Sequence, residues 1–398
     1  MASNQILDTH IHLWPSTATS SSNHSWMTPG NPLAKRHGIS DYLAITSPPP
    51  QGFVYVETDR RLPSPEPSIS DSANDTEIRK ELESWAKEPL DELRFLRRMA
   101  EGTPEDGDGF TGQEDGRRML GCVIYAPFHF APRVFGVYMT VAKEVAGEAL
   151  WSKVVGFRYL LQGKGEGAVG KMLQERGEWW TSNLCALKAL EGTSEAWCFD
   201  VGVDTHRDGV EPMEAVAGLV KRVRQYEERE DPSGKRVKFV LSKSSHLHEK
   251  NGKRAKLMLA MKDHLAKPPL STPQHQPNPR WLSALSALSS DENIYMKLSG
   301  ALNEFDKEPT PKEIPALLTA LTPYFEHAFH CFPHRVMFGS DWPVCNVGGP
   351  AGEEGNWRLW KGVVEAWMEK KGLGEREREQ VWCGAGAKAY GLKGLFKG

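Results

Sequence analysis

Arg335-Val336-Met337-Phe338-Gly339-Ser340-Asp341-Trp342-Pro343-Val344-Cys345 reads as a short buried strand running into a functional loop. Strands of a parallel sheet are almost wholly apolar because both faces are covered, and ligands sit beyond their carboxyl ends. Val336, Met337 and Phe338 fit such a strand, and Asp341 stands just past its end. Pro343 cannot continue a ladder, so the strand must stop here.

The other end of the chain supplies a partner for that carboxylate. Ile6-Leu7-Asp8-Thr9-His10-Ile11-His12-Leu13-Trp14 is an apolar strand carrying two histidines two residues apart. Such a spacing turns both imidazoles to one side of an extended backbone. Alone, the pair is as easily a solvated loop as a site. A closed barrel, however, brings its first and last strands together, so His10, His12 and Asp341 would meet at one mouth.

Four motifs in order, Asp8-Thr9-His10-Ile11-His12-Leu13-Trp14, Asp263-His264-Leu265-Ala266-Lys267-Pro268, Met296-Lys297-Leu298-Ser299-Gly300 and Met337-Phe338-Gly339-Ser340-Asp341-Trp342-Pro343, resemble the amidohydrolase-related family. Within it they look most like the branch of sugar-lactone and 2-pyrone-4,6-dicarboxylate lactonases. The resemblance implies one (β/α)8 TIM barrel over residues 1–398, of the metal-dependent-hydrolase kind and with loop insertions. It also implies ring opening of an aldono-lactone, with Asp341 as general base on water and His264 and Arg158 assisting. His10, His12, His264 and Asp341 resemble a mononuclear zinc site. Members of the branch can also work without metal, so one divalent ion and none both stay open. Two rival readings are a decarboxylase of the same family, for which Val203-Asp204-Thr205-His206 is a poor match, and an inactive binding protein.

Composition is compatible with this reading. A chain of 398 residues accommodates one barrel with insertions. The net charge of −3 argues against a general binder of nucleic acid or anionic membranes. No apolar run approaches the roughly 18 residues that span a bilayer, and no leader pattern opens the chain. The expected location is cytoplasmic. The six cysteines form no C-x-x-C pair and are read as buried thiols, Cys345 included.

Between the two ends, strands are expected at 52–58, 120–125, 154–162, 196–203, 238–241 and 294–300, alternating with helical periodicity. A long helix over 76–99 should be kinked or divided by Pro89. The loop 15–50, after the first strand, is either a cover over the mouth with Trp26 lining the pocket or a solvated insertion. Glu57 ends the second strand. His129 follows the third, as a pocket residue or a surface imidazole. Arg158 lies within an apolar strand, where an unpaired arginine is rare, and its planar fork suits a carboxylate or lactone oxygen. Glu57, Arg158, Lys267, Trp26 and Trp342 together suit a polyhydroxylated ring. Lys297 can lie inside or outside the barrel. Oligomeric state is not legible.

Strand six is interrupted. Lys238-Phe239-Val240-Leu241 should run directly into Asp263-His264, yet residues 242–262, with His246 and His248, intervene. Insertions belong in exposed loops rather than core strands, so this segment is read as a lineage-specific insertion or a retained intron.

Overall fold

The computed structural model describes residues 5–165, 167–190, 197–205, 208–230, 235–243, 277–302, 311–347 and 349–392. Eight strands form one parallel sheet: β1 Leu7–Ile11, β2 Gly52–Val56, β3 Met119–Tyr125, β4 Val154–Arg158, β5 Cys198–Val203, β6 Lys238–Lys243, β7 Ile294–Leu298 and β8 Val336–Phe338. Each is hydrogen-bonded to the next in chain order, with helices between them. This is the expected (β/α)8 barrel.

The seam closes where the site was expected. Thr9 Oγ1 donates to the Phe338 carbonyl at 2.6 Å, the Asp341 amide donates to His10 O at 2.8 Å, and the His12 amide donates to Trp342 O at 2.7 Å. Two glycines permit this approach. A Cβ on Gly339 would stand 3.0 Å from His10 Cβ, and one on Gly300 would lie 2.0 Å from Ser340 O. β1 also carries an irregularity against β2, from Asp8↔Phe53 to Ile11↔Tyr55, so one extra residue is fitted into β1. Bulges of this kind re-aim side chains beside active sites.

Inside, Leu7, Val54, Val56, Val123, Val155, Cys198, Val240, Tyr295 and Met337 pack on Cys383, Ala385, Ala389 and Tyr390 of the C-terminal turns. Those turns plug the floor, so chemistry is confined to the opposite, carboxyl-terminal mouth. Outside, a larger apolar layer joins strands to helices.

Three expectations are resolved here. The helix over 76–99 is two helices, Asp75–Trp85 and Lys87–Glu101, broken at Ala86. Pro89 sits in the first turn of the second, where its missing donor costs little. The loop after β1 is not a solvated insertion. Trp14, Trp26, Met27 and Leu33 form an apolar cluster with Val344 and Val347, so it packs on the loop that follows β8. β6 extends through Ser242 and Lys243, opposite Gly202 and Val203. The rest of 242–262, and with it His206, His246, His248, His264 and Lys267, lies outside the described residues. Among the described residues no helix is long and apolar enough to cross a membrane.

Candidate active site

His10, His12 and Asp341 converge, all buried. His10 Nε2 and His12 Nε2 are 3.2 Å apart, and Asp341 Oδ1 lies 3.5 Å from the first and 3.3 Å from the second. Asp341 adopts a left-handed backbone, φ 57°, which is unusual for a residue with a side chain and is held by the bonds around it. The bracing includes a carboxylate that the sequence reading passed over. Asp8 Oδ1 accepts from the Ser340 amide at 2.8 Å, and its Oδ2 accepts from Tyr42 and Trp357 at 2.7 and 3.1 Å. Burial lifts Asp8 above the ordinary carboxylate range, against these bonds.

The imidazoles are oriented from behind. His12 Nδ1 meets the Val56 carbonyl at 2.8 Å. A carbonyl only accepts, so the proton is on Nδ1 and the Nε2 lone pair points into the mouth. His10 Nδ1 meets Ser299 Oγ at 2.9 Å. Burial and then the nearby Arg158 charge lower His12 to about 4, so it is neutral near pH 7.

This donor set fits a divalent ion. Atoms bound at about 2.0–2.1 Å in tetrahedral array around zinc stand roughly 3.3 Å from one another. The three separations here, 3.2, 3.3 and 3.5 Å, match that spacing. Nδ1 atoms fixed by a carbonyl and a hydroxyl are the usual outer support of metal-binding histidines. Among the described residues this is the one group of three such donors with ligand atoms mutually within 4.8 Å.

Arg158 and Glu57 form a second arrangement. Arg158 is fully buried; its Nε donates to Glu57 Oε1 and its Nη2 to the Glu57 carbonyl, both at 2.5 Å. Two of the five guanidinium N–H groups are therefore spent on Glu57, and Nη1 has no hydrogen-bond partner among the described residues. Glu57 is held through its neighbour Thr58, whose amide and hydroxyl donate to the buried Glu92 at 2.9 and 2.6 Å.

Deeper lies a third pair, which settles Lys297 on the inner of its two expected settings. Lys297 turns inward and meets Asp200 Oδ2 at 2.6 Å, while Ser242 and Tyr390 donate to the same carboxylate at 2.7 and 2.9 Å. Burial alone would raise Asp200, but Lys297 and Arg158 together with its hydrogen bonds hold it low. Burial also draws Lys297 downward, against Asp200. At 2.6 Å, with Ser242 and Tyr390 also donating to the carboxylate, the two form a charged pair.

Trp26 is buried, donating to the Thr58 carbonyl at 3.2 Å. Trp342 is buried between the rings of His37 and Tyr42, at 5.3 and 5.2 Å. His129 is not a surface imidazole. It is buried against Phe130 and Tyr159, and burial lowers it to about 4. Cys345 is wholly buried and burial drives its thiol well above the usual range, so it is filler rather than a nucleophile. All six cysteines are free and buried.

Three comparisons bear on this geometry. Residues 260–392 match the Amidohydrolase family model. The L-rhamnono-gamma-lactonase of Scheffersomyces stipitis is 24% identical over 406 residues, spanning 98% of this chain and 100% of that one. An L-fucono-1,5-lactonase of Burkholderia multivorans is 33% identical over 118 residues, 28% of this chain and 36% of that one. Among solved structures, an amidohydrolase from Burkholderia multivorans with bound zinc shares the fold, with a TM-score of 0.56 at 20% identity over 98% of this chain and 99% of that one.

Proposed function

We infer that this chain, similar in sequence to the amidohydrolase family, is a hydrolase that opens a sugar lactone to its hydroxy acid. The observation that carries the reading is the buried convergence of His10, His12 and Asp341 at the barrel mouth. Its similarity over nearly the whole chain to an L-rhamnono-gamma-lactonase supports the substrate class.

In the proposed mechanism Asp341 is the general base. Its Oδ1 faces the imidazoles, and the carboxylate removes a proton from water as the oxygen attacks the lactone carbonyl. Negative charge then develops on the carbonyl oxygen, where Arg158 Nη1 supplies a donor and positive potential. Protonated Asp341 returns its proton to the ring oxygen as the ester bond breaks. A divalent ion, zinc by its donor set, would be held by His10, His12 and Asp341 and would polarise the carbonyl and acidify water. His264 and Lys267 are proposed to complete the mouth from the segment after β6.

Residues 242–262 are proposed to be foreign to an otherwise single barrel domain. A protein lacking them would join Leu241 to Asp263 and so carry Asp263-His264 at the end of β6. The deleted protein is expected to fold and to be at least as active as the full chain; loss of folding would end that idea.

Proton release from a panel of aldono-lactones, with and without chelator, tests the reaction. Turnover that disappears in Asp341→Asn is the expected result, and the chelator arm decides the metal. Equal turnover in wild type and Asp341→Asn would overturn the mechanism.

A further inference from the structure

The chain beyond β4 holds one residue in place and leaves its polar end unused. The Leu161 amide donates to Gly202 O at 3.0 Å, which carries the β4–β5 ladder past Arg158. The Gly163 amide then donates to Asp208 Oδ2 at 2.6 Å. Gln162 is thus pinned on both sides, yet both of its side-chain amide atoms are buried without a hydrogen-bond partner among the described residues. The residue is 4% exposed, too little for bulk water to serve them. Such atoms cost free energy in the unliganded fold and are retained where a ligand completes them.

Alternation along the strand fixes where the amide stands. Tyr159 and Leu161 pack in the outer apolar layer, as do Val201 and Val203 of β5. Arg158, Leu160 and Gln162 therefore face the barrel axis, with Gly202 beside Leu160. Arg158 carries another orphaned donor on this face, Nη1. Four extended residues advance about 13 Å toward the carboxyl-terminal opening. Arg158 thus sits at the reacting depth and Gln162 nearer the entrance, a separation that two long side chains and a small ring between them bridge. An amide presents a donor and an acceptor side by side. Hydroxyl groups answer both, a carboxylate answers only the donor, and an alkyl group answers neither.

We propose that Gln162 is a specificity-determining residue: its amide binds hydroxyls of the lactone that lie remote from the carbonyl, while Arg158 Nη1 marks the carbonyl end. The inference rests on the lactonase reading and adds to it a direction, carbonyl inward and hydroxylated tail outward, together with the residue that reads the outward end. A lactone with remote hydroxyls gains the bonds of the amide. One without them leaves the amide as unpaired as it is in the empty fold and gains nothing from it.

The test compares two lactones that share the ring, the carbonyl and the hydroxyl beside it: L-rhamnono-1,4-lactone and α-hydroxy-γ-butyrolactone, which lacks the remote hydroxyls. Gln162→Met keeps the length of the side chain without its polar atoms. It should lower the ratio of kcat/KM for the first lactone over the second about tenfold, the worth of one or two hydrogen bonds. Gln162→Asn, one methylene shorter, should fall between. The urea midpoint of Gln162→Met should equal or exceed that of the wild type, because orphaned polar atoms have left the buried face; loss of a side chain that held structure would instead bring it earlier. Calorimetry on the Asp341→Asn protein reads binding apart from turnover, and adding Gln162→Met there should weaken L-rhamnono-1,4-lactone about tenfold. A ratio and an affinity unchanged within twofold, or an earlier urea midpoint, overturns the inference. Absence of turnover on both lactones by the wild type would count against the hydrolase reading and leave the affinity and the midpoint to judge this one.

Discussion

The two halves of the barrel mouth handle charge in opposite ways. On the β2–β4–β5–β7 side two buried ion pairs stand among the described residues: Arg158 with Glu57, Lys297 with Asp200. At the β1–β8 seam, two imidazoles and a carboxylate turn nitrogen and oxygen atoms toward a common point. The first arrangement pairs its charges within the protein, leaving only Arg158 Nη1 without a partner among the described residues. The second becomes complete only with something between its members, a proton, a cation or a reacting water. The Lys297–Asp200 pair therefore marks scaffold, and the converging side chains, with Arg158 Nη1 beside them, mark chemistry.

The contrast can be broken most directly at the two aspartates. Asp341→Asn should lower kcat for lactone opening by about 10²–10⁴-fold, the usual worth of a general base, with an unchanged urea midpoint. Asp200→Asn should do the reverse in kind. Leaving Lys297 buried without its carboxylate costs about 3–5 kcal/mol, read as an earlier urea midpoint. Equal losses of stability in the two variants would erase the distinction.

Ser299→Ala sharpens it further. The hydroxyl supports His10 Nδ1, so zinc affinity measured by competition with a chelating dye should fall about tenfold, as for other outer supports of metal ligands. An affinity unchanged by the variant would remove Ser299 from the site.

The smallest effect is in acid. Asp200 is held below its ordinary value of 3.8 in the folded protein. Its contribution is therefore fully present above that value and is lost as pH falls through the lower folded value. The Asp200→Asn protein, although less stable, should show a flatter dependence of unfolding free energy on pH below about 4 than the wild type. A steeper dependence would mean that Asp200 does not carry its charge in the fold.

Much of this was legible along the chain because it depends on local pattern. Apolar runs spaced by helical segments imply eight parallel strands, and His10, His12, Glu57, Arg158 and Asp341 each sit at or near a strand's carboxyl end. Such positions are readable because strand polarity dictates which end of a barrel carries ligands. Asp200 carried the same signal as Arg158, a charge among apolar strand residues, and could have been found by it.

Other features had no linear signature. Lys297 could have faced either way, because a bulge or a change of register inverts a strand's faces, and only Asp200 at 2.6 Å decides that it points inward. Asp8 and Ser299 act on residues more than 280 positions away, and nothing near them in sequence announces the contact. That Arg158 spends its fork on Glu57 is likewise a matter of which atoms meet across 101 residues. The sequence by itself determined which residues stand at the mouth, since strand order and polarity follow from local pattern. Only the tertiary structure decided which charges are matched and which converge, because pairing in a buried space depends on ångström distances between strands that pattern does not encode.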